Sequence, residues 1–129
     1  MKRQIISTSA APAAVGAYSQ GMLIDGTTLY TSGQIGLVPA TGEFAAADTA
    51  GQTRQVMKNL QALLDAAGMS FDDVVKTTCF LADINDFARF NAIYAEYFTG
   101  KPARSCVAVS ALPKGALVEV EITAVIEDR

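Results

Sequence analysis

The stretch "RSCVAVSALPKGALVEVEITAVIE", Arg104 to Glu127, decides the fold. It carries two apolar segments, Arg104 to Ser110 and Leu117 to Glu127, separated by a Pro-Lys-Gly turn. Period-two alternation puts Arg104, Cys106 and Ala108 on one face of the first segment. An arginine, which does not shed its charge, therefore opens what reads as an apolar core strand. In the second segment Val118, Val120, Ile122 and Ala124 share one face, and Glu119, Glu121 and Thr123 the other. Thr123 and Val125 leave that second face partly apolar, and such a sheet calls for a partner surface.

Working outward, Val56, Leu60, Leu63, Leu64 and Ala67 recur at helical spacing, which predicts a helix from Asp48 to Ala67 stopped by Gly68. Phe87, Phe90, Tyr94, Tyr97 and Phe98 predict a second, from Asn85 or Asp86 to Phe98, ended by Gly100 and Pro102. "DDVVKTTCFLAD" between them reads as a strand. "GMLIDGTTLYTSGQIG" reads as two strands joined at Asp25-Gly26, and Gln4 to Ser7 as a short first one. The order β-β-β-α-β-α-β-β implies an α+β fold, one sheet with two helices on one face. With no repeat, linker or low-complexity stretch, residues 1–129 read as one domain.

A chain of 129 residues buries roughly two-thirds of its unfolded surface and needs no disulfide or structural metal to fold. Half of it is hydrophobic and 18% charged, which fits apolar surface buried between subunits or a well-filled core. Net charge is −3, and the ten basic residues are scattered, which disfavours nucleic acid as a partner. "MKRQIISTSAAP" has no apolar h-region, and no segment reaches transmembrane length. Cys79 and Cys106 lie in apolar runs without a C-x-x-C, so buried reduced thiols in a cytoplasmic protein are expected. The absence of histidine removes Ser-His-Asp and Cys-His nucleophiles and the usual nitrogen ligands of zinc.

Five features carry candidate chemistry. If the last two strands are neighbours, Arg104 meets a carboxylate there as a structural ion pair; otherwise its fork is free for a substrate carboxylate. The glycines of "TSGQIG" serve a plain turn or a close backbone approach around Ser32 and Gly33. Asn91 sits on the stripe of Phe87, Tyr94 and Phe98, where an amide must find a partner in backbone or ligand. Tyr18 is an aromatic among small loop residues, for packing or for a pocket. Cys106 beside an arginine is an activated thiolate or a small buried hydrophobe.

Together "APAAVGAYSQG", "TSGQIG", "DVVKTTCFLADINDFARFNAIYAEYF" and "PARSCVAVSALPKGALVEVEITAVI" resemble the Rid (YjgF) family and, within it, the RidA imine deaminases. The resemblance runs in order from Ile5 to Ile126. It implies a chorismate-mutase-like subunit with one mixed β-sheet, a homotrimer with a barrel-like core, and sites between subunits. The implied reaction is hydrolysis of 2-imino or enamine acids, 2-aminoacrylate/2-iminopropanoate and 2-iminobutanoate, to 2-oxo acids and ammonia, without cofactor or metal. These reactive species leave pyridoxal-phosphate dehydratases, so the implied role is cytoplasmic damage control. On this resemblance Arg104 binds the carboxylate, close to a cleft in which it is buried. Glu119 orients or activates water, and Tyr18 is the third catalytic residue; Tyr18, Ser32 and Asn91 line the pocket; Gly33 and Cys106 give backbone contacts. The family's frequent Gly-Pro-Tyr is Gly-Ala-Tyr here, with Ala17, and the connection from Tyr97 to Arg104 is short. Alternatives are a non-catalytic small-molecule-binding regulator of the same fold, and a ribonuclease or translation inhibitor.

Overall fold

Asp25 and Gly26 both take positive φ, 52° and 72°, and the Thr27 N–H bonds the Ile24 carbonyl at 3.0 Å. That is the type I′ geometry whose twist matches antiparallel strands, so the Asp-Gly signal yields the hairpin it predicts. It joins β2 (Gly21–Ile24) to β3 (Thr28–Thr31) in a computed structural model that describes residues 1–127. The other elements are β1 (Arg3–Ile6), β4 (Gln34–Ile35), α1 (Thr49–Ala66), β5 (Val74–Leu81), α2 (Phe87–Tyr97), β6 (Ala103–Ala108) and β7 (Val118–Val125). The strands form one mixed sheet in the order β1-β2-β3-β7-β5-β6, with β4 also paired to β7. Only β5 and β6 run parallel, as the intervening α2 crossover requires.

Both helices follow their expected spacing. Asp48 caps α1 by accepting the Gly51 N–H at 3.1 Å, and at the other end Gly68 turns at φ 71° while the Met69 N–H bonds Leu64 O at 2.8 Å. Val56, Met57, Leu60, Leu63 and Leu64 of α1 and Phe90 of α2 pack with Leu29, Leu81, Val118 and Val120 in one core on one face of the sheet. Among the described residues no helix is long and apolar enough to cross a membrane.

The structure corrects three expectations. The segment opening at Arg104 is not a core strand: β6 is the last strand of the sheet, and five of its six residues are exposed, Arg104 included. The last two strands are not neighbours, because β5 lies between them, so Arg104 makes no ion pair with the β7 carboxylates. Cys106 is only half-buried, a consequence of the same edge position, while Cys79 is buried as expected.

The two-residue strand β4 carries no periodicity of its own. It is held from α1: buried Asn59 donates to Ile35 O at 3.2 Å and Leu37 O at 3.0 Å, and its oxygen accepts from Gln55 at 2.9 Å. Gly36 makes this contact possible, since a Cβ there would lie 2.9 Å from the Gln52 backbone. Asn59→Ala leaves Leu37 O and the Gln55 amide without their partner, while Ile35 O keeps the Leu37 N–H at 2.8 Å, and each buried unsatisfied group costs about 1–3 kcal/mol. Urea unfolding should show a loss of about 2–4 kcal/mol; a loss under about 0.5 kcal/mol would contradict this role for Asn59.

Candidate active site

Thr77 of β5 is the register partner of both Arg104 and Ile122, so these three side chains leave the sheet on its helix-covered face. Phe80, three residues on, pairs with Val107 and Glu119 and points the opposite way. Arg104 and Glu119 therefore stand on opposite faces of one sheet. No side-chain motion within the chain unites them.

On the open face, β3 breaks from β7 and resumes as β4 with one residue more than β7 uses, a β-bulge. The buried hydroxyl of Thr31 fills the break: it accepts the Ile122 N–H at 3.0 Å and donates to Ile122 O at 3.5 Å. Ser32 and Gly33 bulge outward beside Glu119. A Cβ on Gly33 would lie 2.5 Å from Glu119 Oε2 and 2.8 Å from Cδ, so the glycine lets the backbone run against the carboxylate. "TSGQIG" is thus a close approach rather than a plain turn.

The Ser32 N–H bonds Gln20 O at 2.9 Å and its hydroxyl donates to Ser19 O at 2.5 Å. Gln20, buried, ties down the loop before it by accepting the Thr8 N–H and donating to the carbonyls of Thr8, Ala11 and Pro12. Tyr18 on that loop is exposed rather than packed, and with Ser32, Gly33 and Glu119 it lines a cleft of about 820 Å³. Glu119 has neither hydrogen bond nor ion pair among the described residues. Burial, with Glu121 two residues away as a lesser cause, holds its carboxyl above the ordinary carboxylate range.

The other candidates gather under α2. Asn91 accepts from Arg104 Nη1 at 2.7 Å, and the guanidinium carbon stands 4.7 Å from the Tyr94 ring centroid and 5.4 Å from that of Phe87. Among the described residues no carboxylate neutralises the arginine. Asn91, Tyr94 and Arg104 line a second cleft, of about 610 Å³. Cys106 lies in neither cleft and pairs in register with Cys79. Burial pushes the Cys106 thiol up despite the nearby Arg104, and that of Cys79 up to about 12, so neither is an activated thiolate. The sequence reading missed Tyr94 and Phe87 as partners of Arg104. Their signal was the stripe shared with Asn91, which read as core.

The family model described as Endoribonuclease L-PSP matches residues 8–126. A 2-iminobutanoate/2-iminopropanoate deaminase of Rattus norvegicus is 53% identical, with 95% of this chain and 90% of the relative covered. The Homo sapiens protein of that name is 48% identical over the same shares. The crystal structure of YyfA from Yersinia pestis, described as of the conserved Rid protein family, superposes with a TM-score of 0.92. It is 50% identical and covers 97% of this chain and 100% of its own.

The raised carboxyl of Glu119 has a consequence for stability. The folded chain holds this proton more tightly than the unfolded one, so stability falls as pH rises from about 4.5 through the raised value. Above that window the buried carboxylate is a standing cost. Glu119→Gln should therefore be more stable than the native chain to urea at pH 7, with the gain vanishing below pH 4.5. A variant no more stable at pH 7 would contradict the desolvation of this carboxylate.

Proposed function

The chain belongs to the Endoribonuclease L-PSP family, the YjgF/Rid family, and from that membership we propose that it is an enamine/imine deaminase. It hydrolyses 2-imino acids, 2-aminoacrylate/2-iminopropanoate and 2-iminobutanoate, to 2-oxo acids and ammonia. The single observation that carries this reading is Arg104. Its guanidinium is oriented by Asn91 and two rings yet has no carboxylate partner among the described residues, a fork open to a substrate carboxylate.

The substrate brings an electrophilic C=N carbon, so the protein need supply only orientation, a placed water and proton transfer. Arg104 holds the carboxylate, with backbone groups at Cys106 on the same strand. Glu119, kept basic by burial, takes a proton from water as its oxygen adds to the imine carbon, and a proton passes to nitrogen. The carbinolamine then collapses to the 2-oxo acid as the C–N bond breaks and ammonia leaves. Ser32, Gly33 and Tyr18 border the water side, and Asn91 the carboxylate side.

Because one chain holds these groups on opposite sheet faces, the complete site lies between subunits of a homotrimer with a chorismate-mutase-like barrel core. The open face supports this. Tyr30, Val107 and Val125 on it are 52%, 46% and 42% exposed in the single chain, beside Phe80. A cytoplasmic damage-control role suits two unpaired thiols and a substrate that forms inside metabolism. RNA cleavage, named in the family's description, finds less support in a chain with net charge −3 and no histidine.

Imino acids generated in situ test the reading through the accelerated release of 2-oxo acid. Arg104→Lys should nearly abolish it, because an ammonium cannot make the two-bond fork and each lost charge-assisted bond costs about 1.5–3 kcal/mol. Glu119→Gln should lower turnover by about 10²–10⁴ while binding of 2-oxobutanoate changes far less. Near-native turnover in both variants would defeat the assignment.

A further inference from the structure

An arginine on an exposed edge strand has several free rotors, and a bidentate carboxylate contact requires its plane to be set beforehand. Asn91 fixes one point of the Arg104 guanidinium by accepting from Nη1, which leaves rotation about that bond open. The ring of Tyr94, 4.7 Å from the guanidinium carbon, fixes the face.

Tyr94 is itself immobilised. It is 6% exposed, its hydroxyl lies 2.8 Å from Thr77 Oγ1, and its ring stacks on Phe98 at 4.4 Å and 29°. Thr77 is also the strand neighbour of Arg104, so the backbone ladder sets the distance from the ring's anchor to the arginine. Burial raises the Tyr94 hydroxyl above its ordinary value of 10, so the ring stays neutral. Nη2 and Nε of Arg104 have no partner among the described residues.

We propose that Tyr94, held by burial and its stack on Phe98, is a positioning residue that holds the Arg104 guanidinium plane with its free edge toward the substrate carboxylate. This rests on Arg104 being the carboxylate receptor. The ring acts through its negative face, so its contribution follows the electrostatics of the ring rather than its volume.

The test places phenylalanine and its difluoro and pentafluoro analogues at position 94, beside Tyr94→Leu and Arg104→Ala. Turnover of 2-iminobutanoate and calorimetric binding of 2-oxobutanoate are measured, with thermal unfolding as a control. Tyr94→Phe should stay within about threefold of native KM, because the face is kept. KM and the Kd for 2-oxobutanoate should rise stepwise with fluorination, reaching about 3- to 30-fold in the pentafluoro and leucine forms, with kcat nearly constant. Equal KM across the fluorinated series while Arg104→Ala loses binding would overturn the role of Tyr94 alone. Losses in kcat that track thermal stability would overturn it equally, as those of a merely structural residue. Full binding by Arg104→Ala would instead overturn the reading of Arg104.

Discussion

Strand β5 stands between β6 and β7, parallel to one and antiparallel to the other, and the placement of Arg104 and Glu119 follows from that. Its registers send Arg104 to the helix-covered face and Glu119 to the open face. Each then acquires a separate support. Under α2, Asn91, Tyr94 and Phe87 surround the cation. On the other face the Thr31 bulge and the bare backbone of Gly33 press against the carboxylate. On the proposed reading, a chain built this way carries two half-sites. The proposed trimer joins the basic half of one subunit to the acidic half of the next.

This separation has an electrostatic consequence within the single chain. Were Arg104 and Glu119 paired within one chain, the guanidinium would lower the carboxyl's pKa and fill its own fork. Kept apart in the single chain, Glu119 is raised by burial and Arg104 has no carboxylate partner among the described residues. In the proposed assembled site the two groups meet, and the substrate carboxylate occupies the Arg104 fork, which leaves Glu119 to take a proton from water. The chemistry then needs no histidine, because the electrophile arrives with the substrate.

Much of this was legible in the residues, for identifiable reasons. The helices were, because Val56 to Ala67 and Phe87 to Phe98 repeat at a period no strand shares. The hairpin was, because Asp25 and Gly26 accept the positive φ a type I′ turn demands. The strand order was not: Val107 and Val109 look alike in a buried strand and in an edge strand whose outer surface awaits a partner. The two residues of β4 show no pattern, and their position depends on Asn59 and Gly36, each tied to a distant segment. Of the site, Arg104, Asn91, Ser32 and Gly33 stood out as polar groups or glycines in apolar settings, while Glu119 was marked only by the family resemblance. Tyr94 did not, since its buried edge and the face it turns to the cation belong to one apolar stripe.

The central claim is that a working site takes Arg104 from one subunit and Glu119 from another, and subunit complementation tests it most directly. Arg104→Ala and Glu119→Gln chains, each inactive alone, are unfolded together, refolded in equal amounts, and checked by native mass spectrometry for mixed assemblies. Random trimers should regain about a quarter of native turnover, because about one interface in four joins the intact arginine of one chain to the intact glutamate of the other. Mixed trimers no more active than the two parents would place both residues of each site in a single chain and contradict the account.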